Sequence, residues 1–220
     1  MGADEPLPAP PRAKVLPVAT VVHGERRVDE YAWLRRKDDP DVRAYLAAEN
    51  AYADAVMAPT RDLQAALYAE MLGRIQETDE SVPYRKGGFF YYSRTEQGRQ
   101  YPIHCRKRGS LEAGEEIVLD LNRLAEGKAF MALGAFEPSD DGRLLAYSTD
   151  ENGFRQYTLF VKDLHTGEVV ETVAERVGSA AWAADGRTIF YTVEEESTKR
   201  QYRLLRHRLG EPAHDLVYEE

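Results

Sequence analysis

The octapeptide Asp141-Gly142-Arg143-Leu144-Leu145-Ala146-Tyr147-Ser148 is matched 44 residues later by Asp185-Gly186-Arg187-Thr188-Ile189-Phe190-Tyr191-Thr192. Each copy joins a turn signal to an apolar and aromatic run. Asp tolerates turn geometry, Gly supplies positive φ, and the residues that follow suit a strand. A polar stretch and a second strand-like run come next in both copies, Tyr157-Thr158-Leu159-Phe160-Val161-Lys162 and Tyr202-Arg203-Leu204-Leu205-Arg206-His207. An all-β unit recurring about every 40–50 residues marks the blades of a propeller. A blade cannot bury its faces alone, so the function is expected to belong to something larger than these 220 residues.

The same succession of strands is expected three times, near 82–122, 134–173 and 178–219. In the first unit Phe89-Phe90-Tyr91-Tyr92-Ser93-Arg94 is a strand, Gly98 marks a turn and Gln100 to Arg106 is the hairpin partner. Pro102 gives that partner an irregular start. Glu116-Ile117-Val118-Leu119-Asp120 is the third strand. Before the blades the period is helical. Asp39-Pro40-Asp41 supplies an N-cap and a proline at the first helical position, and Pro59 stops that helix. Thr60 is the expected cap of a second helix whose stripe Leu63, Leu67, Met71 and Ile75 predicts ordinary core packing. Residues 1 to about 20 hold Pro6, Pro8, Pro10, Pro11 and Pro17 and read as an extended arm. The fold class is therefore mainly β: an incomplete β-propeller of about three blades, preceded by an N-terminal arm and two α-helices. The expected division is 1–80 and 81–220.

Composition narrows the function classes. With 43% hydrophobic and 30% charged residues the chain is globular. Its net charge of -9 argues against nucleic-acid binding, which needs a clustered basic face. Arg106-Lys107-Arg108 is expected to be a solvated loop. The single cysteine, Cys105, excludes an internal disulfide and a zinc site of several thiolates, and a half-buried strand thiol is expected. No apolar run approaches the ~18 residues of a membrane span. The stretch from Met1 to Pro11 is acidic and Pro-rich, without the basic start and apolar core of a secretory signal. The expected location is the cytoplasm.

Closed propellers use about four to eight blades. Three cannot close a ring, so either two chains complete one or the chain is the front part of a longer polypeptide; the abrupt end after Leu216-Val217-Tyr218 favours the second. Here the residues reach a family. Asp29-Glu30-Tyr31-Ala32-Trp33-Leu34-Arg35 and Tyr45-Leu46-Ala47-Ala48-Glu49-Asn50-Ala51-Tyr52 resemble the N-terminal segment of the prolyl oligopeptidase family of serine peptidases. Glu70 to Pro83, Tyr101 to Arg106, Leu124-Ala125-Glu126-Gly127, Leu133-Gly134-Ala135-Phe136 and Leu145 to Asp150 resemble its oligopeptidase B branch. The resemblance implies a seven-bladed propeller capping an α/β-hydrolase domain in the same chain, onto which the helical segment packs. It also implies peptide substrates cut after Arg or Lys. Only the part before the hydrolase domain is matched.

The residues agree that the chemistry lies elsewhere. Serine acyl transfer needs a nucleophile on a sharp turn, a histidine base and an orienting carboxylate, and none of the seven serines sits in G-x-S-x-G. Ser179 follows Gly178 but precedes Ala180-Ala181-Trp182, a strand entrance. His23, His104, His165, His207 and His214 lack metal-ligand spacing. Gly87-Gly88 precedes a strand, not a helix, so it offers phosphate no helix N-terminus. A calcium loop opening at Asp140 fails because Gly142 and Leu144 occupy ligand positions. Neither catalytic, cofactor-binding nor metal-ligating residues are expected, and residues 1–220 alone are expected to be inactive. Glu194-Glu195-Glu196 is a solvated loop or, more sharply, an acidic rim that attracts basic peptides. The rival readings are a stand-alone interaction module and an inactive remnant. The helical segment argues against the first of these, because a pure scaffold has no evident need of it.

Overall fold

The computed structural model describes residues 8–220. The chain forms two compact units, one reaching to Ile75 and one running from Gln76 to Glu220.

In the first unit, strands β1 (Val18–Val22) and β2 (Glu25–Asp29) pair antiparallel around the two-residue turn His23-Gly24. Only the start of this hairpin, Val18 to Thr20, falls within the stretch expected as an extended arm, whose residues 8–17 form neither helix nor strand; Met1 to Leu7 of that arm fall outside the described residues. The arm's end is held by Trp33, whose indole N–H donates to the Lys14 carbonyl at 2.9 Å while Tyr45 meets its ring edge-on. Helix α1 (Pro40–Met57) starts as expected: Asp39 is the N-cap, accepting from the Asp41 N–H at 3.0 Å, and Pro40 needs no N–H partner. A 3₁₀ turn, Ala58–Thr60, carries Pro59 and leads into α2 (Arg61–Gly73). Thr60 does not cap α2. Its hydroxyl donates backwards to the Met57 carbonyl at 2.7 Å. The α2 stripe also departs from the expected core packing: Leu63, Leu67, Met71 and Ile75 are all exposed, between 48% and 62%.

The second unit holds three antiparallel sheets. In the first, β5 (Phe89–Thr95), β6 (Ile103–Arg108) and β7 (Glu115–Asp120) run as a meander. Its innermost position is shared by two short strands on β5, β3 (Asp79–Glu80) and β4 (Tyr84–Lys86). Pro83 lies between them, where a missing N–H would interrupt a continuous ladder. A single helical turn, α3 (Leu121–Leu124), capped by Asp120, leads to the second sheet, β8 (Ala132–Pro138), β9 (Leu144–Asp150), β10 (Thr158–Asp163) and β11 (Val169–Ala174). The third sheet is β12 (Val177–Trp182), β13 (Thr188–Glu194), β14 (Gln201–Arg208) and β15 (His214–Glu219). The sheets do not close into a ring, and the unit is a partial propeller.

Both Asp-Gly-Arg copies join the first strand of a blade to its second. Gly142 N–H returns to the Ser139 carbonyl at 2.9 Å and Gly186 N–H to the Ala183 carbonyl at 3.1 Å, with φ of 71° and 64°. The Asp preceding each Gly bonds the amide of the following Arg, at 2.9 Å in both turns.

Burial records where each blade stands in the row. Blade two has neighbours on both sides, and β9 is buried almost throughout, Leu145 and Tyr147 facing one way and Ala146 the other. Phe89, Tyr91, Val118, Leu119, Leu121 and Met131 meet the first of these faces; Val177, Ile189 and Tyr191 meet the second. In blade three β13 alternates instead, Ile189 and Tyr191 buried and Phe190 partly open, because only one of its faces is covered.

Candidate functional site

The first strands of successive propeller blades line the central channel, and here the innermost strands β8 and β12 are neighbours. The antiparallel meander sends the Asp-Gly-Arg turns to one rim and the β9–β10 and β13–β14 loops to the other. Chemistry would have to come from these inner strands or rims.

The inner strands and the strands paired with them offer hydroxyls without bases. Ser179 Oγ lies 3.0 Å from Thr192 Oγ1, which also accepts the Ser179 N–H at 3.1 Å, so the hydroxyl is part of a β12–β13 cross-strand pair. Ser148 Oγ accepts the Ala135 N–H at 2.8 Å, where the β8–β9 register slips. No histidine is hydrogen-bonded to either serine among the described residues. No group of three or more His, Cys, Asp and Glu is arranged to hold a metal among the described residues.

The acidic run sits at the β13–β14 loop as a set of local pairs. Glu196 meets Arg176 at 2.8 Å, Glu194 lies 3.8 Å from Lys199, and Glu195 accepts the Thr198 hydroxyl. Two of the three carboxylates thus have a cation beside them. On the Asp-Gly-Arg rim, hydrogen bonds from the Arg187 and Thr188 amides and the Thr188 hydroxyl hold Asp185 down at about 2. That carboxylate is a turn anchor.

The basic run corrects a sequence reading. Arg106-Lys107-Arg108 is part of β6, not a solvated loop. Arg106 is 6% exposed, bonds Glu116 at 2.7 Å and the Gly142 carbonyl at 2.5 Å, and lies 4.0 Å from the centre of the Phe89 ring. It ties blade one to the turn of blade two. Cys105, beside it, is fully buried, and burial pushes its thiol up to about 12. It is inert packing.

The histidines divide. His23 lies in the β1–β2 turn and His165 in the β10–β11 turn. His104 stacks on Phe136 of the next blade at 4.7 Å, with its Nε2 buried and unpartnered, and burial lowers its pKa. His207 and His214 are directly opposite in the β14–β15 register and stack at 4.3 Å. His207 Nε2 meets Glu171 of β11 at 2.5 Å and its Nδ1 faces the Ala213 carbonyl at 3.1 Å; Tyr191 Oη is 2.7 Å from His214 Nδ1. Glu171 also accepts the Gly210 N–H at 3.0 Å, so it fastens blade three to blade two. This cluster escaped the sequence reading. Its one signal was a pair of histidines flanking Arg208-Leu209-Gly210-Glu211-Pro212-Ala213, a stretch whose turn places them face to face.

Residues 10–220 match the family model described as the N-terminal β-propeller domain of prolyl oligopeptidase. Dipeptidyl aminopeptidase BI of Pseudoxanthomonas mexicana is 43% identical over 96% of the chain and 32% of its own length. Protease 2 of Moraxella lacunata is 37% identical, again over 96% and 32%. Among solved structures, oligopeptidase B of Leishmania major superposes with a TM-score of 0.84 at 31% identity, over 96% of the chain and 33% of its own. Oligopeptidase B of Trypanosoma brucei, in a closed form with covalently bound antipain, gives 0.84 at 33% identity, over 96% and 32%. The chain spans about a third of the length of the curated relatives it matches.

Proposed function

The chain belongs to the prolyl oligopeptidase family, and from that premise we propose that it supplies the helical segment and first propeller blades of a cytoplasmic serine endopeptidase cutting short peptides after Arg or Lys. The observation that carries the reading is the exposed stripe Leu63, Leu67 and Met71 on α2, continued by Ile75 just past its end. An amphipathic helix whose apolar side meets solvent is shaped for a surface it packs on elsewhere. We assign that surface to a catalytic α/β-hydrolase domain in the same polypeptide. The docking segment runs to Ile75 and the first blades begin at Gln76, so the boundary expected at 80 shifts to leave β3, Asp79–Glu80, in blade one.

In this arrangement the blades contribute no reacting group. They restrict access, so that narrow peptides pass and folded proteins do not. The covalent adduct in the trypanosomal relative supports nucleophilic catalysis by such an enzyme.

The test is hydrolysis of peptides containing internal Arg and Lys by the full-length protein, with products identified by mass spectrometry. Cleavage after the basic residues, abolished by a serine-directed inhibitor and absent from residues 1–220 alone, is the expected result. The 43% identical relative is named a dipeptidyl aminopeptidase, so serial release of N-terminal dipeptides is the rival outcome. It would overturn the Arg/Lys endopeptidase assignment. Failure to cut any peptide would overturn the enzymatic reading.

A further inference from the structure

The outer edge of blade one meets blade two around a cleft of about 580 Å³, whose lining includes Ile117 and Leu119 of β7, Arg123 of α3, Glu126, and Lys162 of β10. Its construction begins with a β-bulge. His104 pairs with Leu119 and Cys105 with Ile117, which leaves Val118 between them out of register. The Val118 carbonyl accepts from Lys162 Nζ at 3.0 Å. An ammonium has three N–H groups, and this is the one hydrogen bond Lys162 Nζ makes among the described residues. Neither Lys162 nor Arg123 has a carboxylate within 4.0 Å among the described residues. Asp120, also in the lining, accepts the Asn122 N–H at 2.9 Å as the cap of α3, and Glu126 is exposed on the lip. Burial and then the charge of Arg123 push the Lys162 pKa down. Two cations lining one partly desolvated cleft are unfavourable together unless an anion compensates them.

We propose that this cleft binds a small molecule carrying a phosphate or carboxylate group, held by Lys162 and Arg123, with its apolar part against Ile117 and Leu119. The volume falls in the range of small-molecule sites, about 300–1,000 Å³. Bound there, the ligand would bridge two blades. The proposal goes beyond the peptidase reading and does not depend on it.

The test is acetylation of the full-length protein by an N-hydroxysuccinimide ester, with the rate at each lysine followed by peptide mass spectrometry. Inorganic phosphate and hexanoate are added separately at an ionic strength matched with sodium chloride. At least one should slow labelling of Lys162 fivefold or more and leave exposed Lys199 unchanged, and the protecting arm identifies the ligand class. Arg123→Gln, an exposed change that leaves the Lys162–Val118 bond in place, should reduce the protection at least threefold. Equal labelling in phosphate, hexanoate and chloride, or protection that survives intact in Arg123→Gln, overturns the site.

Discussion

A β-carbon added to Gly142 would lie 2.3 Å from the ring of Phe89, so the turn of blade two is fitted against an aromatic side chain of blade one. Gly186, at the same place in the next repeat, has a similar positive φ but nothing within 4 Å of its added β-carbon. The two turns thus separate backbone strain from crowding. Gly186→Ala should cost about 1–2 kcal/mol, the penalty of a left-handed L-residue. Gly142→Ala should cost that and about 1–3 kcal/mol more for overpacking at Phe89. Equal losses in denaturant unfolding would show that the blade contact adds nothing.

That difference marks the limit of what the sequence disclosed. Turn, strand and repeat were legible because Asp-Gly-Arg followed by an apolar run is a local pattern, and both copies fold alike. Which repeat would have a neighbour against it was not local. Leu144 to Asp150 and Thr188 to Glu194 carry similar patterns, yet the first is buried on both faces and the second on one. Arg106 was misread for the same reason. A basic tripeptide looks solvated until another blade brings a carbonyl and an aromatic face to it. The Glu171–His207 contact spans 36 residues and two sheets, and no spacing rule reaches that far.

Acid should loosen the blade contacts. His104 is held below the ordinary histidine pKa by burial, and His214 by burial and then by His207 beside it. With the folded pKa depressed, the unfolded chain binds more protons in the window below the unfolded value of about 6.5. Stability is therefore full above that value and declines as pH falls through it. His104→Phe keeps an aromatic ring on Phe136 and removes both the titration and the unpartnered Nε2. It should flatten the loss of melting temperature between about pH 7 and pH 5. An unchanged pH profile in the variant would show that His104 plays no part.

The ion pairs of the β13–β14 loop set an expectation for substrate attraction. Cationic peptides are drawn to a rim only by charge that is not already compensated nearby. Glu194 and Glu196 have Lys199 and Arg176 beside them, so little field is left to steer a peptide. Replacing Glu194, Glu195 and Glu196 with Gln in the full-length protein should change kcat/KM for basic peptides by less than about threefold at low salt, with kcat unchanged. A larger fall that disappears at high salt would restore the acidic-rim reading.

The α2 stripe should respond with opposite signs in two settings. In residues 1–220 alone, Leu67 and Met71 face water at 48% and 60% exposure, and an apolar patch of this kind drives association and binds hydrophobic dyes. Leu67→Glu with Met71→Glu should therefore lower dye fluorescence and raise the monomer fraction of the isolated chain, without a loss of helix. In the full-length protein the same pair would bury two unpaired carboxylates against the proposed catalytic domain, a severe penalty for groups that prefer water. The expected results there are a lower melting temperature and peptidase activity reduced tenfold or more. Improvement in both settings would mean that α2 faces solvent in the whole protein, and the docking role assigned to the helical segment would fall.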